Sequence, residues 1–473
     1  MPPVDNTLYK QSLSFGLLHA SLQATYGHAC CPAHLSSGGD RLRKLISRAR
    51  KAFDKAASHL HSTRQFAYED KPVQELHQAI NASLQDALSG SILHQVPDVL
   101  RQKLQTDVFV FSGMKTYAEL KEASQLLTTP QGQPKPFSQF AEDIKKLNKT
   151  YNEDYLRTEH QFAMGSAQMA AQWAEVNPKN DLQYRTAQDS KVRSDHAAMH
   201  GITLPATDAF WDSYYPPNGW NCRCLAVEVL PGQYARSISD EAIAQGDAAT
   251  TQPDKNGRNM AAMFRFNPGK QGVVFPPSHP YYAQHCGKHL HLRGSANSIR
   301  ITLNNEKDKC QWQQKTKDST LVSQKIKEYG NGGSINQSIL VNQLAKDYKN
   351  VYQCCDHFAK NGQQTEILPK VHKDDPAYQN FFGDLMGTKY EGKCPDFRVN
   401  GKYYELEGFT TNNLDKAVNN MLKRGLKQAS RIVIEDVGLS ITNIKRTIFY
   451  RKKGGITIDE VWIFKNGVLQ KVD

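Results

Sequence analysis

Residues 184–225 read YRTAQDSKVRSDHAAMHGITLPATDAFWDSYYPPNGWNCRCL, and the way this stretch closes on itself decides how the rest of the chain is read. It crowds basic, acidic, His, Trp and Cys side chains into one short segment. It opens where a polar helical pattern gives way to Pro, Gly and Asn punctuation, and it closes on Cys222-Arg223-Cys224. If Asp189 to His200 is helical, Asp189, Arg193, His196 and His200 share one face, where a carboxylate can pair with an Arg and orient an imidazole. The Pro216-Pro217-Asn218-Gly219 turn then brings Trp220 and both Cys back across. Thiolate and imidazole are preferred zinc ligands, so His196, Cys222 and Cys224 form a candidate zinc site with Asp189 or His200 as fourth ligand. Against zinc, Cys-x-Cys is tight for one tetrahedral ion, and a hydrogen-bonded turn with buried thiols is the alternative.

Upstream, residues 40–104 carry a helical pattern, with Leu42, Leu45, Ile46, Ala49 and Phe53 on one face. The segment from Val108 reads as a short apolar strand, a Ser112-Gly113 turn and a helix. From Phe137 the helical pattern resumes, and Tyr151, Tyr155, His160, Met164, Met169 and Trp173 have the spacing of packed helices rather than of a ligand box. His28, Cys30, Cys31 and His34 offer metal-capable side chains in a spacing that matches no familiar zinc pattern. Downstream, residues 233–334 read as an extended arm and linker, polar and Gly/Pro-punctuated, ending in Gly332-Gly333-Ser334. His279, His285, Cys286, His289 and His291 within it suit surface or packing roles.

The chain has 473 residues, room for about three domains at roughly 150 residues each. No apolar run approaches the ~18 residues of a membrane-spanning helix, and the first residues lack the pattern of a signal peptide, so a cytosolic start and no membrane partner are expected. The formal net charge of +12 favours an anionic partner, with nucleic acid foremost. Nine scattered Cys lack the density of a secreted disulfide framework, so reduced thiols are expected.

From about Ile335 the chain starts afresh as a mixed α/β module. Residues 338–362 read as an amphipathic helix with Ile339, Leu340, Leu344, Ala345 and Tyr348 on its apolar face, followed by a strand in TEILPKV. Asn400-Gly401 is a strong hairpin signal, and a second hairpin turns at Asn466-Gly467. Asp396 begins one strand of the first hairpin, while Glu405 and Glu407 alternate on the next and so share a face. Lys427, Gln428 and Arg431, with Arg446 and Arg451 further on, supply cations and polar groups that could hold a phosphate backbone or stabilise charge in phosphoryl transfer. An ordinary basic helix face beside two surface Glu is the plain alternative.

Two family resemblances follow from these residues. Tyr184-Arg185-Thr186, Asp189, Val192-Arg193, His196, Gly201, Phe210-Trp211, Pro216-Pro217 and Gly219 to Cys224 resemble the signature of the phage Mu F-like minor head proteins. That resemblance implies a structural protein of a phage or prophage capsid, made in the cytoplasm of the bacterial host and then carried in the virion, in the capsid interior or at the portal vertex. Its implied partners are the portal, other capsid proteins and phage DNA. Pro395-Asp396-Phe397, Asn400-Gly401-Lys402, Tyr404-Glu405-Leu406-Glu407-Gly408-Phe409, Lys427-Gln428-Ala429 and Glu460-Val461-Trp462 are similar to the C-terminal nuclease domains of polymorphic toxins, above all the tRNA-cleaving CdiA C-terminal group of the barnase, EndoU, colicin and RelE-like superfamily.

The expected fold is therefore multidomain α+β: a helical N-terminal region (1–135), a head-morphogenesis domain (136–232), the arm and linker (233–334), and a small α/β nuclease-like domain of a sheet with packed helices (335–473). The expected function is head morphogenesis with a C-terminal ribonuclease acting on tRNA or other RNA and held by an immunity protein. The alternative is a structural head protein whose last module binds nucleic acid or a head component without cutting. In a metal-independent ribonuclease, Glu405 or Glu407 would take the 2′-OH proton, with Lys427, Arg431 and Arg446 stabilising charge. RNA would be held by Lys402, Lys423, Arg424, Gln428 and Arg451. In the competing scheme Asp396, Glu405 and Glu407 bind Mg2+, although Glu407 stands where a Pro-Asp…Glu-x-Lys core has its Lys. That departure favours the route without a cofactor.

Overall fold

The computed structural model describes residues 38–89, 96–255, 257–283, 296–343, 345–409, 414–436, 438, 440–465 and 467–473. The groups His28 to His34 and His285 to His291, with Leu344 and Asn466, lie outside the described residues. The chain divides into two compact units, Met1–Val96 with Asp107–Gln313, and Pro97–Thr106 with Gln314–Asp473. Among the described residues no helix is long and apolar enough to cross a membrane.

The first unit is built on long helices: α1 (Gly38–Thr63), α2 (Lys71–Ser89), α3 (Asp98–Gln125, which belongs to this unit from Asp107 on), α4 (Phe137–Lys149) and α5 (Leu156–Glu175), with a π-helical turn at Thr150–Tyr155 between the last two. In α1, Ile46, Ala49 and Phe53 are buried, as their spacing predicts. The strand and turn expected from Val108 are instead the middle of α3. Val108, Phe109, Val110 and Phe111 are all buried, so surrounding packing overrides their strand propensity. The Ser112 hydroxyl donates to Val108 O (2.7 Å) and Thr116 to Ser112 O (2.9 Å), which satisfies both within the helix.

A polar cluster is buried where α3 meets the π-helical turn. Lys115 lies 2.9 Å from Glu159 and within 5.7 Å of the ring centres of Tyr151, Tyr155 and Tyr281. Asn152 donates to Glu119 (2.8 Å), whose carboxyl burial pushes up to about 8. Between its ordinary value of 4.5 and about 8, Glu119 keeps its proton in the fold while the unfolded chain releases it. Stability from this group is therefore complete below about 4.5 and falls as pH rises towards 8. Glu119→Gln keeps the acceptor for Asn152 and removes the titration. Its melting temperature should match wild type near pH 5 and exceed it at pH 8, by an amount on the order of a few kcal/mol of stability.

Residues 184–225 follow α5. Strands β1 (Asp181–Arg185), β2 (Thr203–Pro205) and β3 (Leu225–Val229) form an antiparallel sheet in the order β2-β1-β3. Short helices α6 (Ser194–Ala198) and α7 (Phe210–Ser213) fill the connections. Trp211, Tyr184, Tyr215 and Phe210 are fully buried in one core with Leu182, Met199 and Ala226. The expected extended arm instead carries α8 (Ser239–Ala249), α9 (Pro268–Gln271) and α10 (Ala296–Asp318). It is held by contacts distant in sequence, which local polarity hides: Phe275 stacks on Phe111, and the Trp312 indole N–H donates to Gly113 O (2.8 Å). Cys310 is disulfide-bonded, contrary to the expectation of reduced thiols, whereas Cys222, Cys224, Cys354, Cys355 and Cys394 are free.

The second unit is an eight-stranded sheet in the order β11-β10-β9-β8-β7-β6-β5-β4. It begins within the expected linker, with the hairpin of β4 (Gln324–Glu328) and β5 (Ser334–Gln337). The helix expected across 338–362 starts only at α11 (Tyr348–Lys360), because the described residues before it form successive turns, Val341 N on Ser338 O and Ala345 N on Asn342 O. The chain continues through β6 (Gln364–Ile367), α12 (Pro376–Phe382), β7 (Phe397–Val399), β8 (Lys402–Glu407), α13 (Leu414–Gly425), β9 (Arg431–Glu435), α14 (Ile441–Lys453), β10 (Glu460–Lys465) and β11 (Val468–Lys471). The Asn400-Gly401 turn has φ values of 46° and 79°, the left-handed pair that such a tight hairpin demands. Alternation sorts the faces. Tyr404, Leu406 and Val433 pack with Val351 and Phe358 of α11, whereas Ile432 and Ile434 pack with Val418 and Leu422 of α13 and with α14.

Candidate functional site

By the same alternation Glu405 and Glu407 lie opposite the α11 face, in register with Ile432 and Ile434 of the adjacent parallel strand. Asp396, just before β7, joins them. Its carboxylate accepts from Leu406 N (2.8 Å) and is 2.7 Å from Lys370 Nζ. Lys370 is also 4.0 Å from Glu405. Both Asp396 and Glu405 are buried, and Glu405 Oε2 has no hydrogen-bond partner. Burial, then the neighbouring Asp396, push Glu405 well above the usual carboxylate range. Partial burial opposes a charge on Lys370, but Asp396 and Glu405 outweigh it and hold the ammonium above its ordinary range. Glu407 accepts from Arg424 Nε (2.8 Å), and burial raises it despite that partner. Gly425 packs closely beside it, since a Cβ there would stand 3.1 Å from Glu407 Cγ and 2.9 Å from Ile432 Cδ1.

Asp396 and Glu405 therefore meet at Lys370, Glu407 stands beside them on Arg424 without closing a three-carboxylate cluster, and the expected cations lie elsewhere. Arg431 is paired with Asp459 (3.0 Å) and Glu460 (3.6 Å). Lys427 and Arg446 are exposed, and no ion pair joins either to the carboxylates. Helix end and strand start carried them to other places than a straight reading of the spacing implied. Lys370 takes their position, and Arg424, expected on RNA, is bound to Glu407 and to Gly408 O (2.7 Å). Lys370 was missed because it lies in the loop past β6. Only the β6–β7 pairing, Ile367 with Phe397 and Leu368 N on Asp396 O (3.0 Å), brings it to Asp396.

Of the remaining residues expected on RNA, Lys402 and Lys423 are exposed, Gln428 is half-buried, and Arg451 donates to Asn419 Oδ1 (2.8 Å). Lys416, Asn419, Thr447, Tyr450, Arg451, Gly454 and Ile456 line an open groove of about 570 Å³. Phe449 and Tyr450 are 61% and 63% exposed among the basic residues of α14.

In the first unit, α6 is shorter than expected, so Asp189, Arg193, His196 and His200 do not share one helical face. Asp189 instead receives two bonds from Arg223 (2.6 and 2.5 Å), which hold its carboxyl down to about 2. Arg193 donates to Trp220 O (2.6 Å). The His200 ring meets Thr186 N (3.1 Å) through Nδ1 and Gln188 Nε2 (3.0 Å) through Nε2. Neither Asp189 nor His200 is thus available as a fourth zinc ligand. His196, Cys222 and Cys224 do converge, with Nδ1 3.6 and 3.7 Å from the two sulfurs.

Residues 131–227 match the family model described as phage Mu protein F like protein. The chain is 41% identical over 59 residues to the putative capsid assembly protein F of Escherichia phage Mu, covering 12% of this chain and 13% of that protein. It is 40% identical over 80 residues to the Mu-like prophage FluMu F protein of Haemophilus influenzae, covering 17% and 19%. The chain thus aligns with less than a fifth of either relative. No solved structure matches it.

Proposed function

We propose that this chain is a head-assembly protein of a phage or prophage whose second unit is a cation-dependent RNA endonuclease acting on tRNA. The assembly role is supported by the match of residues 131–227 and by the capsid-assembly title of the phage Mu relative. Portal, other capsid proteins and phage DNA are its partners on this reading, and the virion is its destination. The nuclease role is carried by one observation: buried Asp396 and Glu405 meet beside Lys370, with Glu405 Oε2 lacking a hydrogen bond. A buried oxygen without a hydrogen bond is costly, and one beside a second carboxylate suits a bound cation.

A hard divalent ion such as Mg2+ takes carboxylate oxygens, and Asp396 and Glu405 would hold it by exchanging the Lys370 contact for the ion, Glu407 staying on Arg424. When bound, such an ion polarises the phosphate and favours a deprotonated nucleophile. Lys370, 44% exposed at its side chain, is placed to hold a phosphate oxygen while it balances Asp396. The exposed rings of Phe449 and Tyr450 among Lys and Arg suit stacked bases and a phosphate backbone. A route without metal would also have to use Lys370, since Lys427, Arg431 and Arg446 stand elsewhere.

A second reading has its own support. Lys370 on Asp396 and Arg424 on Glu407 form ion pairs that could be purely structural, in a module that binds without cutting. The full-length protein incubated with total tRNA and Mg2+ separates these readings. Discrete fragments that disappear with EDTA are expected. Cleavage that survives EDTA overturns the cation scheme, and intact tRNA with a folded protein favours the binding module.

A further inference from the structure

We infer that His196, Cys222 and Cys224 hold a zinc ion in the first unit, a site independent of the carboxylate cluster in the second. The three donor atoms lie within 4.8 Å of one another, with His196 Nδ1 3.6 Å from Cys222 Sγ and 3.7 Å from Cys224 Sγ. A tetrahedral zinc with bonds of about 2.1 Å to nitrogen and 2.3 Å to sulfur sets its nitrogen–sulfur edges at about 3.6 Å. The objection that Cys-x-Cys is too tight is met by the fold. Both sulfurs reach the same ring nitrogen, because Asn221 before Cys222 takes a left-handed φ of 57°.

The turn that presents the thiols is fixed without using them. Arg223, between the two Cys, points away to Asp189, and Arg193 clamps Trp220 O. Tyr184 OH donates to Asn218 Oδ1 (3.0 Å). Gly219 lets this turn close, since a Cβ there would stand 3.0 Å from Arg193 Nη1 and 3.8 Å from His196 Cε1. Surrounding bonds therefore orient the donors and leave Nδ1 and the sulfurs facing one another, the preorganisation that a metal site requires. His196 and Cys224 are buried and Cys222 is partly exposed, so the open side admits water as fourth ligand. Soft thiolates with an imidazole select zinc over a hard cation such as Mg2+, and two thiolates neutralise its charge. The ion would fasten α6 to the Cys-Arg-Cys turn inside the segment matched to the phage family.

The test uses full-length protein produced with zinc in the medium and purified without a polyhistidine tag. Elemental analysis should give about one zinc per chain, falling below about a tenth in folded Cys222→Ser and His196→Gln variants. Should those variants fail to fold, the wild-type protein with cobalt in place of zinc answers instead. It should show sulfur-to-cobalt charge-transfer and tetrahedral ligand-field bands that vanish when zinc is added. Wild-type protein with free thiols, no zinc and no such bands overturns the site, as does zinc retained in full by both variants.

Discussion

On the proposed nuclease function, full-length protein carrying Glu405→Gln is expected to lose tRNA cleavage by on the order of a thousandfold while binding tRNA within a few-fold of wild type. The substitution keeps the shape of the side chain and removes its charge. In the fold, Glu405 is buried near Asp396, with Lys370 no closer than 4.0 Å and one oxygen without a hydrogen bond, so ionising it opposes folding. Glutamine should therefore leave the melting temperature unchanged or raise it. That pairing of lost activity with undiminished stability marks a group kept for chemistry rather than for packing. A structural ion pair would behave the other way, with stability falling alongside any activity. Asp396→Asn should lose cleavage comparably, but with some loss of stability, because Lys370 then keeps only the more distant Glu405. Wild-type rates in either variant would dismiss the carboxylates as the reacting centre. The measurements are gel-resolved tRNA cleavage under single-turnover conditions, tRNA binding by fluorescence anisotropy, and thermal unfolding.

How far this could be read in advance depended on whether a signal was local. The Asn400-Gly401 turn announces its own φ values, and with the turn fixed, strand alternation places Glu405 and Glu407 on one face. The convergence of Asp396 with them follows from the same hairpin, since Phe397 pairs with Tyr404. Lys370 could not be placed that way, because its position depends on the pairing of β6 with β7 across the intervening α12 segment. The Cys-Arg-Cys turn shows the same divide. Its thiols and His196 were identifiable by type, but the partners of Asp189 and His200 were not. Arg223 captures Asp189 only because the chain has turned back at Gly219. The run from Val108 to Phe111 misled for the opposite reason: its residue types favour a strand, and only burial on every side makes it helix.

Lys115→Met should destabilise the first unit by about 3–5 kcal/mol, seen as a drop in melting temperature on the order of 10 °C. The Lys115 side chain is fully buried, 2.9 Å from a Glu159 side chain that is itself 4% exposed. Methionine fills much of the volume and sits well among Tyr151, Tyr155 and Tyr281, so the loss comes from charge rather than from a cavity. Without the ammonium, Glu159 keeps the Tyr281 hydroxyl (3.3 Å) but no counter-charge, and Glu119 loses the cation that opposes its own rise. Both carboxyls must then hold protons to remain inside. The deficit should accordingly shrink as pH falls towards 5, where protonation is cheap, and grow towards pH 8. The double variant Lys115→Met/Glu159→Leu removes the stranded acid and should recover most of the loss, since a buried pair replaced whole by apolar groups is often neutral. A single variant as stable as wild type across this range would show that Glu159 reaches water, and that the cluster between α3 and the π-helical turn is not sealed. Differential scanning calorimetry of the three proteins at pH 5, 6.5 and 8 decides it.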